Sequence, residues 1–147
     1  MAQPMQFRAA QGFVLAGAAT FTVQSLKTGK HYTYKVVGMG DEDPKVRWLV
    51  QVLAGPDNRA DYANIGLVRW EGNYPAPKFF LKKGTTPTGA SKAFEWVLAQ
   101  LYDPKAAPGG FAQMALFHEG SCGRCGRALT TPESVATGLG PICASRA

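Results

Sequence analysis

The chain has 147 residues, of which 46% are hydrophobic and 18% are charged, and its formal net charge is +6. This length suits one domain, or one domain with a small appendage, and the apolar content is sufficient for a buried core. No apolar run is long enough to span a bilayer, and the first residues lack the order of a signal peptide. We therefore expect a soluble, cytoplasmic protein without a membrane partner.

Most of the positive charge lies before residue 111. Residues 1–110 carry 13 basic and 8 acidic side chains, whereas residues 111–147 carry 3 and 2. A moderate basic excess is compatible with nucleic-acid contact, but it is also a common solubility feature. The charge alone favours a nucleic-acid partner only weakly.

The first forty residues predict one β-hairpin. Residues 1–11 show little periodicity and are expected to be irregular, and residues 12–19 form a loop or a partly buried strand. Residues 20–26 and 32–37 alternate apolar and polar side chains on either side of Lys27-Thr28-Gly29-Lys30. Alternation around such a turn sequence predicts a hairpin.

Three more strands are predicted before residue 83. Residues 46–54 and 62–70 flank a Gly55-Pro56-Asp57-Asn58 turn, and residues 78–82 follow Pro75 and Pro77. Because crossover helices are missing from the first eighty residues, we expect an antiparallel sheet or a small open barrel.

One amphipathic helix is predicted after these strands. Thr88 or Ser91 can cap its start, and Asp103-Pro104 closes it. Its apolar face, which is expected to pack on the sheet, consists of Phe94, Val97, Leu98 and Leu101. Residues 105–110 are typical of a linker, and residues 111–117 resume strand-like alternation that leads to His118.

The predicted fold is therefore α+β, with about five to six strands and one packed helix. A sheet-dominated domain would occupy residues 1–110. A zinc-binding module at residues 111–147, similar to a zinc knuckle or a treble clef, would be docked on it.

The C-terminal quarter contains the ligand set of a tetrahedral zinc site. His118, Cys122, Cys125 and Cys143 follow the spacing H-x3-C-x2-C-x17-C and include every cysteine of the chain. Three thiolates and one imidazole suit a closed, structural zinc site, and two sulfurs at C-x2-C spacing can reach one ion. His31 is a distant alternative as the fourth ligand, and Glu119 or Glu133 would be unusual.

Two other interpretations of the cysteines remain. Three cysteines could form a disulfide and a spare thiol, although an odd number favours a reducing compartment, where disulfides are rare. A redox C-x-x-C normally opens a helix after a strand, whereas Gly126, Arg127 and the TTPES run are typical of a knuckle. The pattern favours one structural Zn²⁺ ion.

The run HEGSCGRCGRALTTPESVATGLGPIC resembles a small zinc-module family of unknown function, found mostly in bacteriophage proteins. The shared pattern is CGRCGR, then L-T-x-P-x-S, then G-x-G-P-x-C. The T-G-K-x-Y-T-Y run at 28–34 and the G-P-D-N turn at 55–58 are similar to the segment before this module in some phage proteins. The resemblance implies a phage origin and a metal site, and it supplies no activity.

Basic and aromatic residues suggest where a nucleic acid would bind. Lys78, Lys82, Lys83 and Lys92 surround Phe79 and Phe80, and Tyr32 and Tyr34 share one strand face near further lysines. Single-strand binders use lysines along phosphates and rings under bases. The alternatives are a solvated, lysine-protected edge strand and half-buried packing tyrosines. Arg124 and Arg127 either neutralise the thiolates or contact phosphate.

No catalytic constellation is visible. The run from Gly84 to Gly89 lacks the lysine of a phosphate-binding loop, because in the Ala90-Ser91 pair that follows Ala90 stands where Lys is required. With His118 assigned to zinc, only His31 remains as a histidine base. We expect a protein that is not an enzyme and has no small-molecule substrate.

Two functions from different classes fit these patterns. The first is a phage-type accessory protein with a structural zinc site that binds nucleic acid. The second is an inhibitor or adaptor that binds a bacterial host protein, for example a defence or replication protein, in the host cytoplasm.

Overall fold

The computed structural model describes residues 4–40, 46–55, 61–103, 109–118 and Leu139. The helices and strands along these residues are α1 (Phe7–Val14), β1 (Ala18–Ser25), β2 (His31–Gly38), β3 (Arg47–Leu53), β4 (Tyr62–Arg69), β5 (Lys78–Leu81), α2 (Gly89–Tyr102) and β6 (Met114–His118), with a 3-10 turn at Phe111–Gln113 before β6.

The six strands form one antiparallel sheet in the order β5-β4-β3-β2-β1-β6. Strands β1 to β4 are each paired with the next strand in sequence, so short connections are sufficient there, whereas β6 pairs with β1. Within the described residues β5 and β6 are the two edges. The prediction of an antiparallel sheet is confirmed, and of its two forms the structure has the open sheet.

The predicted hairpin is confirmed as β1 and β2. Phe21 lies opposite Tyr34, and both side chains are fully buried. At the turn, the Ser25 amide donates to the Lys30 carbonyl over 2.8 Å, and Gly29 has a φ of 77°. Glycine adopts such a positive φ at little cost, which explains why this turn sequence closes tightly.

The prediction of an irregular start is wrong, because residues 7–14 form the helix α1. Ala10, Phe13 and Val14 follow helical spacing and are fully buried. The Gln11 side-chain amide donates to the Leu101 carbonyl at 2.5 Å, which links α1 to α2. Packing therefore stabilises a short helix that contains Gly12 and has no side-chain cap at Gln6.

The predicted helix is confirmed as α2. Thr88 is its N-cap and forms a capping box with Ser91: the Thr88 hydroxyl accepts from the Ser91 amide, and the Thr88 amide donates to the Ser91 hydroxyl. The apolar face predicted from the sequence is buried along its full length, at Phe94, Val97, Leu98 and Leu101.

Both helices cover the same face of the sheet, called here the inner face. Its core includes Phe21, Tyr34, Val36, Val50, Val68 and Leu116, together with the buried sides of α1 and α2. The Trp48 indole on this face donates to the Leu15 carbonyl over 3.1 Å. Because side chains alternate along a strand, the residues between these positions lie on the opposite, outer face.

Strand β6 is part of this sheet, and its residues belong to the segment predicted as a zinc-binding module docked on the sheet. It pairs with β1 from Phe21–His118 to Ser25–Met114. On its other side the Met5 amide donates to the Leu116 carbonyl over 2.7 Å. In the described part of the chain, no helix has the length and apolar character needed to cross a bilayer.

Candidate nucleic-acid interface and metal centre

Three cations lie side by side on the outer face of the sheet. Arg47 in β3 is the direct partner of Arg69 in β4, and Arg69 is the direct partner of Lys78 in β5. Each cation has a chain neighbour that belongs to the core or packs against it, namely Trp48, Val68 and Phe79. Because successive side chains of a strand point to opposite faces, the three cations lie on the outer face. We call Arg47, Arg69 and Lys78 the cationic row.

Like charges directly opposite one another destabilise a sheet. Glu71 relieves part of this repulsion, because its carboxylate accepts two hydrogen bonds from the Arg69 guanidinium, one of them from Nε over 3.0 Å. These bonds raise the pKa of Arg69, which stays charged. Arg47 and Lys78 are exposed, and neither has an ion-pair partner within the described residues.

Aromatic rings accompany the cations. The Lys78 ammonium lies 4.6 Å from the centre of the Tyr74 ring, and the Arg69 guanidinium carbon lies 5.9 Å from the centre of Phe80. Further along the face, the Lys35 ammonium lies 4.3 Å from the Tyr62 ring. Such contacts hold cations over rings and keep both at the surface.

An apolar row runs next to the cationic row on the same face. The register places Val37 opposite Leu49, Leu49 opposite Leu67 and Leu67 opposite Phe80. Phe80 is 41% exposed and Val37 is 39% exposed, whereas the two leucines are half-buried. The outer face therefore combines a continuous apolar strip with a line of positive charge.

The structure separates the lysines that the sequence grouped together. Lys78 belongs to the cationic row, and Lys82 and Lys83 are exposed just after β5. Lys92 lies on α2, in the layer that covers the inner face. Phe79 packs on Phe94, with ring centres 5.3 Å apart, while Phe80 is on the outer face.

Tyr34 does not belong to any binding surface in this fold. It is fully buried, and its hydroxyl donates to the Ala90 carbonyl over 2.7 Å. Burial raises the pKa of Tyr34, with a smaller contribution from Tyr32. Tyr32 is half-buried on the inner face, with its ring centre 6.3 Å from that of Tyr34.

Arg47 and Arg69 were not among the binding residues predicted from the sequence. Strand alternation places each next to a core residue, Trp48 and Val68, and this signal could have assigned both cations to one face. Their alignment with Lys78 follows only from the pairing of β3, β4 and β5.

The proposed metal ligand His118 is the last residue of β6. It lies opposite Phe21, and its ring centre is 5.8 Å from that of Phe13. Cys122, Cys125 and Cys143, as well as Arg124 and Arg127, lie outside the described residues. Within the described residues no three His, Cys, Asp or Glu side chains cluster as metal ligands would. The sulfur atoms of three thiolates and the nitrogen of one imidazole are ligands that suit Zn²⁺.

Comparison with known proteins gives one partial match. Residues 114–147 match a family of unknown function, DUF6011, which covers well under half of the chain. No curated protein and no solved structure matches the chain. The C-terminal segment, from β6 onward, is thus similar to an uncharacterised family.

Proposed function

We propose that this protein binds single-stranded nucleic acid on the outer face of its sheet. The observation that carries the proposal is the cationic row, in which Arg47, Arg69 and Lys78 lie directly opposite one another on three strands. A sheet that keeps like charges together loses some stability. Phosphate groups would offset that repulsion, because each cation can neutralise one of them.

The aromatic rings beside the cationic row favour a single-stranded nucleic acid over a duplex. Phe80 is exposed next to Arg69, and Tyr74 lies beside Lys78. Unpaired bases stack on aromatic side chains, whereas the bases of a duplex are already stacked on each other. An open sheet face with rings among cations suits a strand whose bases are accessible.

A structural Zn²⁺ ion is the second part of the proposal. His118 would be one ligand, because β6 holds it at the edge of the sheet, and Cys122, Cys125 and Cys143 would be the others. Four protein ligands leave no open position for a water molecule, so the ion would stabilise the fold. The resemblance of this segment to a zinc-module family found mostly in phage proteins supports the metal site and a role in an infected bacterial cell.

A bacterial host protein is the second candidate partner. The apolar row of Val37, Leu49, Leu67 and Phe80 favours it, since apolar side chains are enriched at the centre of protein interfaces. Salt distinguishes the two candidates. Phosphate binding weakens steeply as ionic strength rises, whereas a packed apolar interface changes little.

The test is a fluorescence-anisotropy titration of the zinc-loaded protein with single-stranded DNA, duplex DNA and RNA at several salt concentrations. We expect single strands to bind most tightly. The variants Arg47→Gln and Lys78→Gln should each weaken binding and reduce the salt slope by about one. Arg8→Gln removes the same charge from α1 and is expected to bind like the wild type.

Two results would contradict the proposal. The first is no binding at low salt by protein whose zinc content has been confirmed. The second is an equal loss of affinity in Arg8→Gln and in the two outer-face variants. This result would show that binding depends only on the net charge of the protein. Salt-insensitive capture of a host protein that is lost in Phe80→Ser would then favour the second candidate.

A further inference from the structure

A cavity of about 320 Å³ lies on the opposite side of the sheet from the cationic row. The β1–β2 turn, the exposed side of α2 and the segment before β6 surround it. Its volume lies at the lower end of the range that small-molecule sites occupy. The apolar side chains Val23, Val97 and Met114 form part of its lining.

Two aromatic side chains line the same cavity. Trp96 is 39% exposed on α2, and Tyr32 is half-buried on β2. Within the described residues neither the Trp96 indole nitrogen nor the Tyr32 hydroxyl has a hydrogen-bond partner. An exposed indole ring with an unused donor can contact a flat polar ring and donate a hydrogen bond to it.

The mouth of the cavity is positively charged. Lys27 and Lys30 come from the β1–β2 turn, with Thr28 between them, and no carboxylate is among the lining residues. Neither lysine has an ion-pair partner in the part of the chain that the structure describes. Two ammonium groups and a hydroxyl match the charge and the acceptors of one phosphate group.

From these features we propose that the cavity binds a nucleotide that carries a terminal phosphate. The base would lie against Trp96 and Tyr32, and the phosphate would contact Lys27 and Lys30. The ligand could be a free mononucleotide or the phosphorylated end of a strand, since both present the same ring and anion. This site is independent of the cationic row, because the two lie on opposite faces of the sheet.

The experiment uses the full-length, zinc-loaded protein and the four ribonucleoside 5′-monophosphates as probes. Isothermal titration calorimetry measures affinity, and amide chemical shifts at Ala93, Val97 and Gln113 report the location. We expect saturable binding with shifts at these positions. Adenosine and inorganic phosphate, which each lack one half of the ligand, should bind at least tenfold more weakly than AMP.

Two variants test the residues. Lys27→Gln/Lys30→Gln should weaken AMP binding at least tenfold and leave adenosine binding unchanged. Trp96→Leu should weaken the binding of both AMP and adenosine. The matched control Arg47→Gln/Lys78→Gln removes the same charge from the outer face and should bind AMP like the wild type, so that a failure of this site and a failure of the outer face are distinguishable.

A tetranucleotide with and without a 5′-phosphate distinguishes the two sources of the ligand. In the Arg47→Gln/Lys78→Gln variant, whose outer face is weakened, tighter binding of the phosphorylated tetranucleotide than of the mononucleotide would identify a strand end, and the reverse would identify a free nucleotide. Equal affinity for AMP, adenosine and phosphate, an absence of saturable binding, or wild-type AMP affinity in both cavity variants would overturn the proposal.

Discussion

Tyr34 shows how one residue joins the layers of this protein. Its ring contacts Phe21 in the sheet and Phe94 in α2, with ring centres 5.8 and 5.2 Å apart. Its hydroxyl donates to the carbonyl of Ala90 in the first turn of α2. Aromatic packing and one directed hydrogen bond therefore fix the start of α2 over strand β2.

Tyr34→Phe should lower the free energy of unfolding by about 1 kcal/mol, because it removes this hydrogen bond but keeps the ring. Urea denaturation followed by circular dichroism measures the change. Tyr74→Phe is the control, since Tyr74 lies beside Lys78 at the surface, and it should change stability by less than about 0.5 kcal/mol. Equal effects of the two variants would contradict this role of Tyr34.

Alkaline pH should destabilise the protein through the same residue. Burial raises the pKa of Tyr34 above its ordinary value of 10.0, and it raises that of Tyr102 as well. Above pH 10.0 the unfolded chain releases phenolic protons that the folded chain retains, so the free energy of unfolding falls as pH rises. At lower pH both states hold these protons, and the contribution is fully present.

The measurement is the urea midpoint of the wild type and of Tyr34→Phe across this alkaline range. The wild type should lose stability more steeply with pH than Tyr34→Phe, in which the contribution of Tyr102 remains. Parallel curves would show that Tyr34 has the same pKa in both states.

At the scale of elements, the pairing of β4 with the edge strand β5 depends on Gly66. A Cβ atom at this position would collide with the Phe80 carbonyl oxygen and would lie 2.8 Å from the Phe79 ring. The ring of Phe79 thus occupies the space that a side chain at position 66 would need. This close approach lets β5 pair with β4 while Phe79 reaches Phe94 in the core.

Gly66→Ala should cost about 2 kcal/mol or more, since either β5 or the Phe79 ring must shift to accept the methyl group. Gly72→Ala is a matched control, because a Cβ at Gly72 meets no atom within 4 Å. Thermal unfolding of both variants measures the difference. Equal melting temperatures would show that β5 contributes little to the stability of the fold.

For the whole molecule, the proposed zinc site would connect the C-terminal segment to the sheet. Strand β6 forms an edge of the sheet and ends at His118, so a metal ligand at this position would connect the segment that follows to β1 through backbone pairing. The binding energy of a closed metal site contributes to folding.

Replacing either Cys122 or Cys143 by Ser should abolish the binding of one equivalent of zinc and lower the melting temperature. Zinc content is measured by elemental analysis and stability by thermal unfolding. Ser121→Ala, next to Cys122, is the control and should retain the metal. A Cys143→Ser protein with full zinc content and an unchanged melting temperature would show that the ligand assignment is wrong.

The elements that the sequence predicted well are those whose pattern is local. The hairpin of β1 and β2 shows alternation in residues 20–26 and 32–37, and the apolar stripe of α2 follows helical spacing from Phe94 to Leu101. Helix α1 was missed because it has only eight residues, contains Gly12 and lacks a capping side chain. Ala10, Phe13 and Val14 do follow helical spacing, but a helix of this length is marginal by itself, and its stability comes from packing.

The sequence by itself determined the antiparallel character of the strands, the position of α2 and the spacing of the proposed zinc ligands, because each depends on residues close together in the chain. The tertiary structure decided which side chains meet. Arg47 and Lys78 are separated by more than thirty positions in the chain, with Arg69 between them. Only strand pairing aligns the three cations. Likewise, Lys27 and Trp96 share a cavity only because α2 packs across the inner face of the sheet.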